Sequence, residues 1–207
     1  MRKPLSAKAP NLPIAPEIYK KGYADDLNRI LRIYFNQLDI LNGVLYSNVG
    51  GGYLQFPNGS WYDTTTQSIV AINTPQAMTF NGTVVENNIN KSVTDSSKIY
   101  PAIAGYFNIQ FSAQCLKASG GTDLIWIWPR VNGVDIPNSN TKVAMNNSTG
   151  SQVLAWNFVL PLNQGDYFQL YWATNGAIQL YNEGANAFSP AIPSLLLSIT
   201  FVSALYV

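Results

Sequence analysis

The spacing of apolar residues changes along the chain, and the first regular pattern is helical. Leucine and tyrosine recur at intervals of four and three between residues 23 and 45, which is the heptad spacing of a helix that packs along one seam. The seam positions are Leu27, Leu31, Tyr34, Leu38, Leu41 and Leu45. We predict an amphipathic helix over residues 23–45, with a stop near Leu41 because Asn42 and Gly43 follow it.

A second apolar line runs beside that seam. Ile30, Ile33, Ile40 and Val44 lie on it, and Phe35 adds to its width. A free-standing coiled coil keeps such flanking positions polar. A single helix lying on its own domain is one interpretation. The two stripes favour another, in which the helix contacts copies of the chain and a further partner.

From residue 46 onward the pattern is that of β-structure. Asn-Gly pairs recur between short apolar runs, which is a strong signal for hairpins. The predicted strands cover residues 68–72, 77–80, 105–117, 123–131, 151–161, 166–173, 178–181 and 195–203. Their even spacing predicts a mainly β fold, a jelly-roll sandwich over residues 68–207, joined to the helix by a linker over residues 46–67.

Several predicted strands are apolar on both faces. Residues 124–128 read Leu-Ile-Trp-Ile-Trp, and Trp156 and Phe158 alternate with Val159 and Leu160. One face packs inside the sandwich, and the other is an aggregation hazard unless something covers it. Subunit contact would cover it, so this pattern also predicts an oligomer.

The two ends of the chain carry different patterns. Residues 1–22 contain Pro4, Pro10, Pro13 and Pro16 and little periodicity, which predicts an extended anchoring arm. They lack the apolar run of a secretory signal, so we expect synthesis in a host cytoplasm. Residues 189–207 are uncharged but alternate like a strand, and we expect no membrane insertion.

Composition argues against a conventional enzyme. Charged residues make up 11% of the chain, compared with about 25% in ordinary domains, and there is no histidine. Imidazole-based metal binding and acid–base catalysis are therefore excluded. Residues 46–207 hold five basic and seven acidic residues, which is no footprint for nucleic acid. We expect no enzymatic activity, no cofactor and no metal, and we interpret the single Cys115 as a buried hydrophobe.

Two kinds of site remain open. Exposed aromatic rings beside polar groups suit a glycan, and the candidate residues are Trp61, Tyr62, Tyr181 and Glu183, with Phe188, Asn182 and Asn186 nearby. Packing against the oligomer or the helix is the simpler role for these rings. Seven acids could supply a hydrolytic carboxylate pair, although turn capping is favoured: Asp63, Glu86, Asp95, Asp123, Asp135, Asp166 and Glu183. A calcium site at Asp135, Asn138 and Asn140 is a further hypothesis.

Five segments resemble phage virion proteins. Residues 24–43 are similar to the N-terminal segment of many tailed-phage virion proteins. Four β segments resemble, in order, a domain of structural proteins from marine and freshwater phages: residues 104–114, 126–141, 155–172 and 190–203. Two of their sequence patterns are also similar to the trimeric jelly roll of complement and tumour-necrosis-factor proteins. This resemblance implies a homotrimer whose jelly rolls meet around a threefold axis, with the N-terminal part engaging the particle.

We therefore predict a non-enzymatic homotrimeric virion structural protein. The arm and helix dock on a capsid or tail neighbour and the jelly roll faces outward, as in a capsid decoration or cement protein or a short head fibre. The alternative is a tail or collar appendage that binds host surface glycans. A polysaccharide depolymerase that uses two of the acids is a third hypothesis.

Overall fold

The computed structural model describes residues 10–45, 56–146 and 150–205. The chain divides into two compact units, Met1–Gln55 and Phe56–Val207. The first contains one helix, α1 (Lys21–Leu45), and the second contains the strands. The prediction of a mainly β sandwich preceded by a single helix is confirmed.

Helix α1 continues through the predicted stop. Gly43 has an ordinary backbone conformation and not the left-handed one of a helix C-cap, so the helix extends to Leu45 and the predicted end near Leu41 is wrong. No residue of α1 is buried. Both apolar stripes of the helix are therefore at least partly uncovered within the described chain.

The proline segment before α1 has a period of three. Pro10, Pro13 and Pro16 are half-buried, whereas the residues between them are exposed. Three residues make one turn of a polyproline II helix, so the prolines lie along one edge of it. Pro10 lines a groove of about 230 Å³ together with Ile30, Ile33, Tyr34 and Gln37. The segment from Pro10 thus begins beside the middle of α1.

Two antiparallel sheets form the second unit. Sheet A has the order β2 (Gln67–Ser68), β13 (Ile178–Leu180), β7 (Gly105–Lys117), β14 (Leu195–Ser203), β1 (Asn58–Asp63) and β4 (Gly82–Asn87), and β11 (Ser151–Leu162) pairs with β7. Sheet B has the order β10 (Thr141–Met145), β8 (Asp123–Val131), β12 (Phe168–Thr174), β6 (Ile99–Pro101) and β5 (Ile89–Lys91), with β3 (Gln76–Ala77) beside β12 and β9 (Val134–Asp135) beside β8. The strand neighbours are distant in sequence, as in a jelly roll.

The core lies between the inner faces of these sheets. Alternate residues of β7 are buried, and Phe107, Ile109 and Phe111 among them face Ile127 and Trp172 from the opposite sheet. This alternation is the period of two that predicted the long strands. Among the described residues, no helix is long and apolar enough to cross a membrane.

Strand β1 lies inside the predicted linker, and this is the largest difference from the sequence-based assignment. The sequence pattern predicts a turn at the Asn58-Gly59 pair, but the pair occupies the start of β1 between β14 and β4. A Cβ on Gly59 would approach the Trp61 ring to 2.1 Å. The absence of a side chain at Gly59 therefore leaves room for the ring of a core tryptophan, and the Asn58-Gly59 pair does not form a hairpin. The short strands β4, β5, β6, β9 and β10 were also not predicted, and residues 69–72 and 78–80 are not strands.

Candidate functional site

The outer face of sheet A has no charged side chain across its four long strands. Its outward positions include Asn58, Ser60 and Tyr62 on β1, Tyr106, Asn108, Gln110, Ser112 and Gln114 on β7, Val153, Ala155, Asn157 and Val159 on β11, and Leu196, Ser198, Thr200 and Ser203 on β14. Solvent-facing sheet surfaces normally carry charge to discourage association. This face is instead a continuous layer of small polar and apolar groups.

Strand β11 forms one edge of that sheet. It pairs with β7 on one side over all twelve residues, and no strand among the described residues pairs with its other side. It contains no charged residue, and Val153, Trp156 and Val159 are each more than half exposed. A long, uncharged and apolar edge strand is a template for association with another chain.

A groove of about 650 Å³ lies where this edge meets the face. Trp156, Ala155 and Leu196 give it apolar walls, and Gln110 and Ser198 give it polar ones. The Trp156 ring is exposed although its strand position is on the inner side, next to Phe111. The groove therefore combines an exposed ring with amide and hydroxyl groups at the edge of the sandwich.

The outer face of sheet B is chemically different. The Arg130 guanidinium lies 3.8 Å from the centre of the Tyr171 ring, and Trp128 lies beside Tyr171 at 6.2 Å between ring centres. Arg130 donates from Nε and Nη2 to the Asp135 carboxylate, and Trp128 Nε1 donates to the same carboxylate at 2.5 Å. Arg130 and then Trp128 hold the pKa of Asp135 below its usual range, and the Asp135 hydrogen bond raises the pKa of Arg130.

A buried ion pair closes the turn from β7 to β8. Lys117 is completely buried, and its Nζ lies 3.6 Å from Asp123 Oδ2. The ammonium also donates to the carbonyl oxygens of Ser119 and Gly121. Asp123 in turn accepts from the Ala177 backbone N–H at 3.1 Å. The pair therefore joins three segments at one end of the sandwich and has a structural role.

The predicted glycan residues do not form one site. Trp61 has no exposed surface and its Nε1 donates to Glu86 Oε1 at 2.7 Å, so the prediction of Trp61 as a glycan contact is wrong. Tyr62 is half-buried and its ring covers Gly82. Tyr181 is half-buried after β13, and Glu183 is exposed and forms a backbone bridge with Ile192.

One backbone link joins two of these regions. The Asn182 N–H donates to Thr66 Oγ1 at 3.3 Å, which brings the segment after β13 near the end of β1. Phe188 is 92% exposed on a turn in which its N–H donates to Asn186 Oδ1. The rings that remain accessible here are therefore separated from the buried Trp61.

Most acids of the sandwich have structural partners. Asp63 is buried and bonds Thr65, Glu86 bonds Trp61, and Asp123 and Asp135 bond the cations described above. Side-chain bonds from Ser97 and Asn132 lower the pKa values of Asp95 and Asp166 respectively. These turn-capping and core roles agree with the interpretation that was favoured over a catalytic pair. Since Arg130 already neutralises Asp135, the calcium hypothesis for Asp135, Asn138 and Asn140 loses its only carboxylate.

Helix seam residues form a partly covered stripe. Leu27, Leu31, Tyr34, Leu38 and Leu41 are half-buried, as is Ile30, and Leu45 is exposed at the helix end. Ile33 and Ile40 of the second line are 49% and 67% exposed. Their role in oligomer or virion contact stays a prediction.

Cys115 of β7 is buried, and this burial raises the pKa of its thiol to about 12. The thiol is therefore not a nucleophile at neutral pH.

Sequence reasoning missed the cluster on sheet B. Its signal was present, because Trp126, Trp128 and Arg130 alternate with core residues along β8. Because both faces of this strand are apolar, the sequence predicts a subunit contact there instead. The structure shows that Trp128 is covered within its own chain, and that Asp135 from the β8–β9 hairpin bonds its indole.

Comparisons with known proteins give a likeness of fold. No family model matches the chain, and no curated protein matches it. Similar solved structures include the globular domain of zebrafish complement 1qA protein, at 15% identity and a TM-score of 0.46, covering 72% of this chain and 98% of that one. They also include the Eiger TNF from S. frugiperda, at 9% identity and a TM-score of 0.49, covering 74% and 97%. Neither name is that of a virion protein.

Proposed function

We propose that this chain is a non-enzymatic virion structural protein that self-associates as a homotrimer and displays its sandwich outward. The observation that carries the proposal is the uncharged edge strand β11, which continues into the uncharged outer face of sheet A. Association removes both surfaces from water. The Arg130–Asp135 ion pair of sheet B then remains on the side that faces away from the contact.

The kind of contact sets the smallest closed assembly of copies. When the edge of one copy meets the face of the next, the two surfaces differ, and such a heterologous contact closes into a ring when the rotation between copies closes and otherwise extends into a filament. Three copies make the smallest ring of this kind. The sequence resemblance to trimeric jelly rolls supports the same number.

The virion setting rests on the resemblance of the five segments to phage proteins and on the first unit. On α1 of the first unit, Ile33, Phe35 and Ile40 are 49%, 56% and 67% exposed. Burial of such side chains contributes about 1.5–3 kcal/mol each. We assign docking on a capsid or tail neighbour to this unit, and the display role to the sandwich.

Lysines on the edge strand test the proposal. In Val153→Lys/Val159→Lys, two charges stand on the outward side of β11, where each valine is more than half exposed. We expect the mass measured by light scattering to fall from three chains to one, because desolvating two unpaired ammonium groups opposes the contact. At a protein concentration low enough for the wild type to be monomeric, the urea unfolding midpoint of this variant should be close to that of the wild type.

The matched control is Val70→Lys/Val93→Lys, which adds the same charge at loop valines that are 91% and 101% exposed. This control should keep the mass of three chains. An edge variant that stays trimeric would exclude β11 from the interface.

A second experiment tests the virion role. A chain beginning at Phe56 should still associate but should be absent from purified particles, whereas the full chain should be incorporated.

A further inference from the structure

The outer face of sheet B carries a cluster of aromatic rings around an arginine–aspartate ion pair. Along β8 the outward residues are Trp126, Trp128 and Arg130, and Tyr171 of β12 lies opposite Trp128. Three aromatic rings and a guanidinium in adjacent outward positions are unusual on a surface that has so few charged residues. Sheet A, in contrast, has no charged group on its outer face.

The polar groups of this cluster are fixed in place. Two of the five N–H groups of Arg130 donate to Asp135, and the ring of Tyr171 supports one face of the guanidinium. Trp128 Nε1 donates to Asp135 Oδ1, the same oxygen that accepts from Arg130 Nε. Both groups therefore have one orientation before any ligand arrives, which reduces the entropy cost of binding.

Hydrogen-bonding capacity remains on both partners. Three N–H groups of Arg130 do not bond Asp135, and the side chains of Arg130 and Asp135 are 19% and 58% exposed respectively. A donor and an acceptor thus stand side by side with little net charge. Neighbouring hydroxyls of a sugar match such a pair, because each hydroxyl both donates and accepts.

An aromatic surface lies along the same strand. Trp126 is partly exposed, and it lies four residues from Arg130, which is about 13 Å along a strand. Lys142 of β10 lies directly opposite Trp126 and adds a further donor. One sugar cannot reach from the ring to the Arg130–Asp135 pair, so the ligand must be an oligosaccharide lying along β8.

We propose that the outer face of sheet B binds an oligosaccharide, with Trp126 stacking on one sugar ring and the Arg130–Asp135 pair bonding neighbouring hydroxyls of another. This site differs from the residues that the sequence suggested, Trp61, Tyr62, Tyr181 and Glu183. It lies on the opposite sheet from the proposed contact between copies, so it remains accessible in the trimer and needs no residue of a second copy.

A printed array of oligosaccharides, probed with the full chain, tests the proposal. The glycan that binds best is then titrated while tryptophan fluorescence is followed. We expect Trp126→Ala and Arg130→Gln each to raise the dissociation constant at least tenfold. Phe188→Ala removes the most exposed ring of the loop after β13 and should leave it unchanged.

Light scattering of each variant separates a failure of this proposal from a failure of the proposed function. A variant that is still a trimer but no longer binds the glycan has lost only the site on sheet B. Two results would overturn the proposal: no array glycan binds the full chain, or binding survives both sheet B substitutions while Phe188→Ala abolishes it. If Trp126→Ala fails to fold, Trp126→Phe with a weakened but measurable affinity provides the same test.

Discussion

Replacing Asp123 with asparagine is expected to destabilise the sandwich by about 3–5 kcal/mol, because it leaves a buried ammonium without its counter-charge. Lys117 has no exposed surface, and Asp123 is the carboxylate within 4 Å of its Nζ. Asparagine keeps the shape and one acceptor oxygen, so the loss reports the charge. Urea unfolding followed by tryptophan fluorescence measures it, since all five tryptophans lie in the second unit.

The control for this prediction is Glu183→Gln, which makes the same chemical change at an exposed residue and should not shift the midpoint measurably. The double variant Lys117→Met/Asp123→Asn removes both charges. It should recover part of the loss, although the carbonyls of Ser119 and Gly121 lose their donor. An Asp123→Asn protein as stable as the wild type would show that Lys117 is not held as a buried cation.

Placing a methyl group on Gly59 is expected to cost about 1–3 kcal/mol or more, because the space beside this glycine is filled by an aromatic ring. Its Cβ would lie 2.1 Å from a ring carbon of Trp61. The ring is fully buried and tied to Glu86 through Nε1, so it cannot rotate away without breaking that bond. Thermal and urea unfolding of Gly59→Ala measure the loss.

Gly120→Ala is the matched control, since nothing lies within 4 Å of its Cβ and its backbone is not left-handed. It should be neutral or slightly stabilising. In the background of Trp61→Phe, a smaller ring leaves room, and the cost of Gly59→Ala should shrink. If Gly59→Ala were as stable as Gly120→Ala, Trp61 would not occupy the position described here.

Strands with a strict apolar alternation were predictable from the sequence. Residues 105–117, 123–131 and 195–203 have the same bounds in the structure, because one face of each strand is buried over all or most of its length. Strand β1 was not predictable in this way. From sequence alone, its Asn-Gly pair predicts a hairpin. The reason why a glycine is present in this strand is the packing of the Trp61 ring over Gly59, which only the structure shows.

The same limit applies to Asn-Gly pairs generally. Asn132-Gly133 does form a hairpin, in which both residues have positive φ angles of 53° and 78°, and it joins β8 to β9. Local sequence is alike at residues 58–59 and 132–133. What differs is the tertiary neighbour, which a single sequence does not contain.

The surfaces were predictable only in part. The sequence shows that β11 is apolar on both sides, but that β11 is an edge strand depends on its pairing with β7. The absence of charge on the outer face of sheet A also depends on the strand register, which places Asn157, Gln110 and Ser198 side by side on neighbouring strands. Trp61 was assigned to a loop because β1 was missed, and this error placed a core residue in a predicted glycan site.

The mass of the purified protein by light scattering, for the full chain and for a chain beginning at Phe56, tests the central claim most directly. We predict that both are trimers, with the full chain at three times 22.7 kDa, because the contact lies in sheet A and β11. A full chain that is monomeric at micromolar concentration would contradict self-association. A full-length trimer whose shortened form is monomeric would contradict the sheet A interface and assign the contact to residues 1–55.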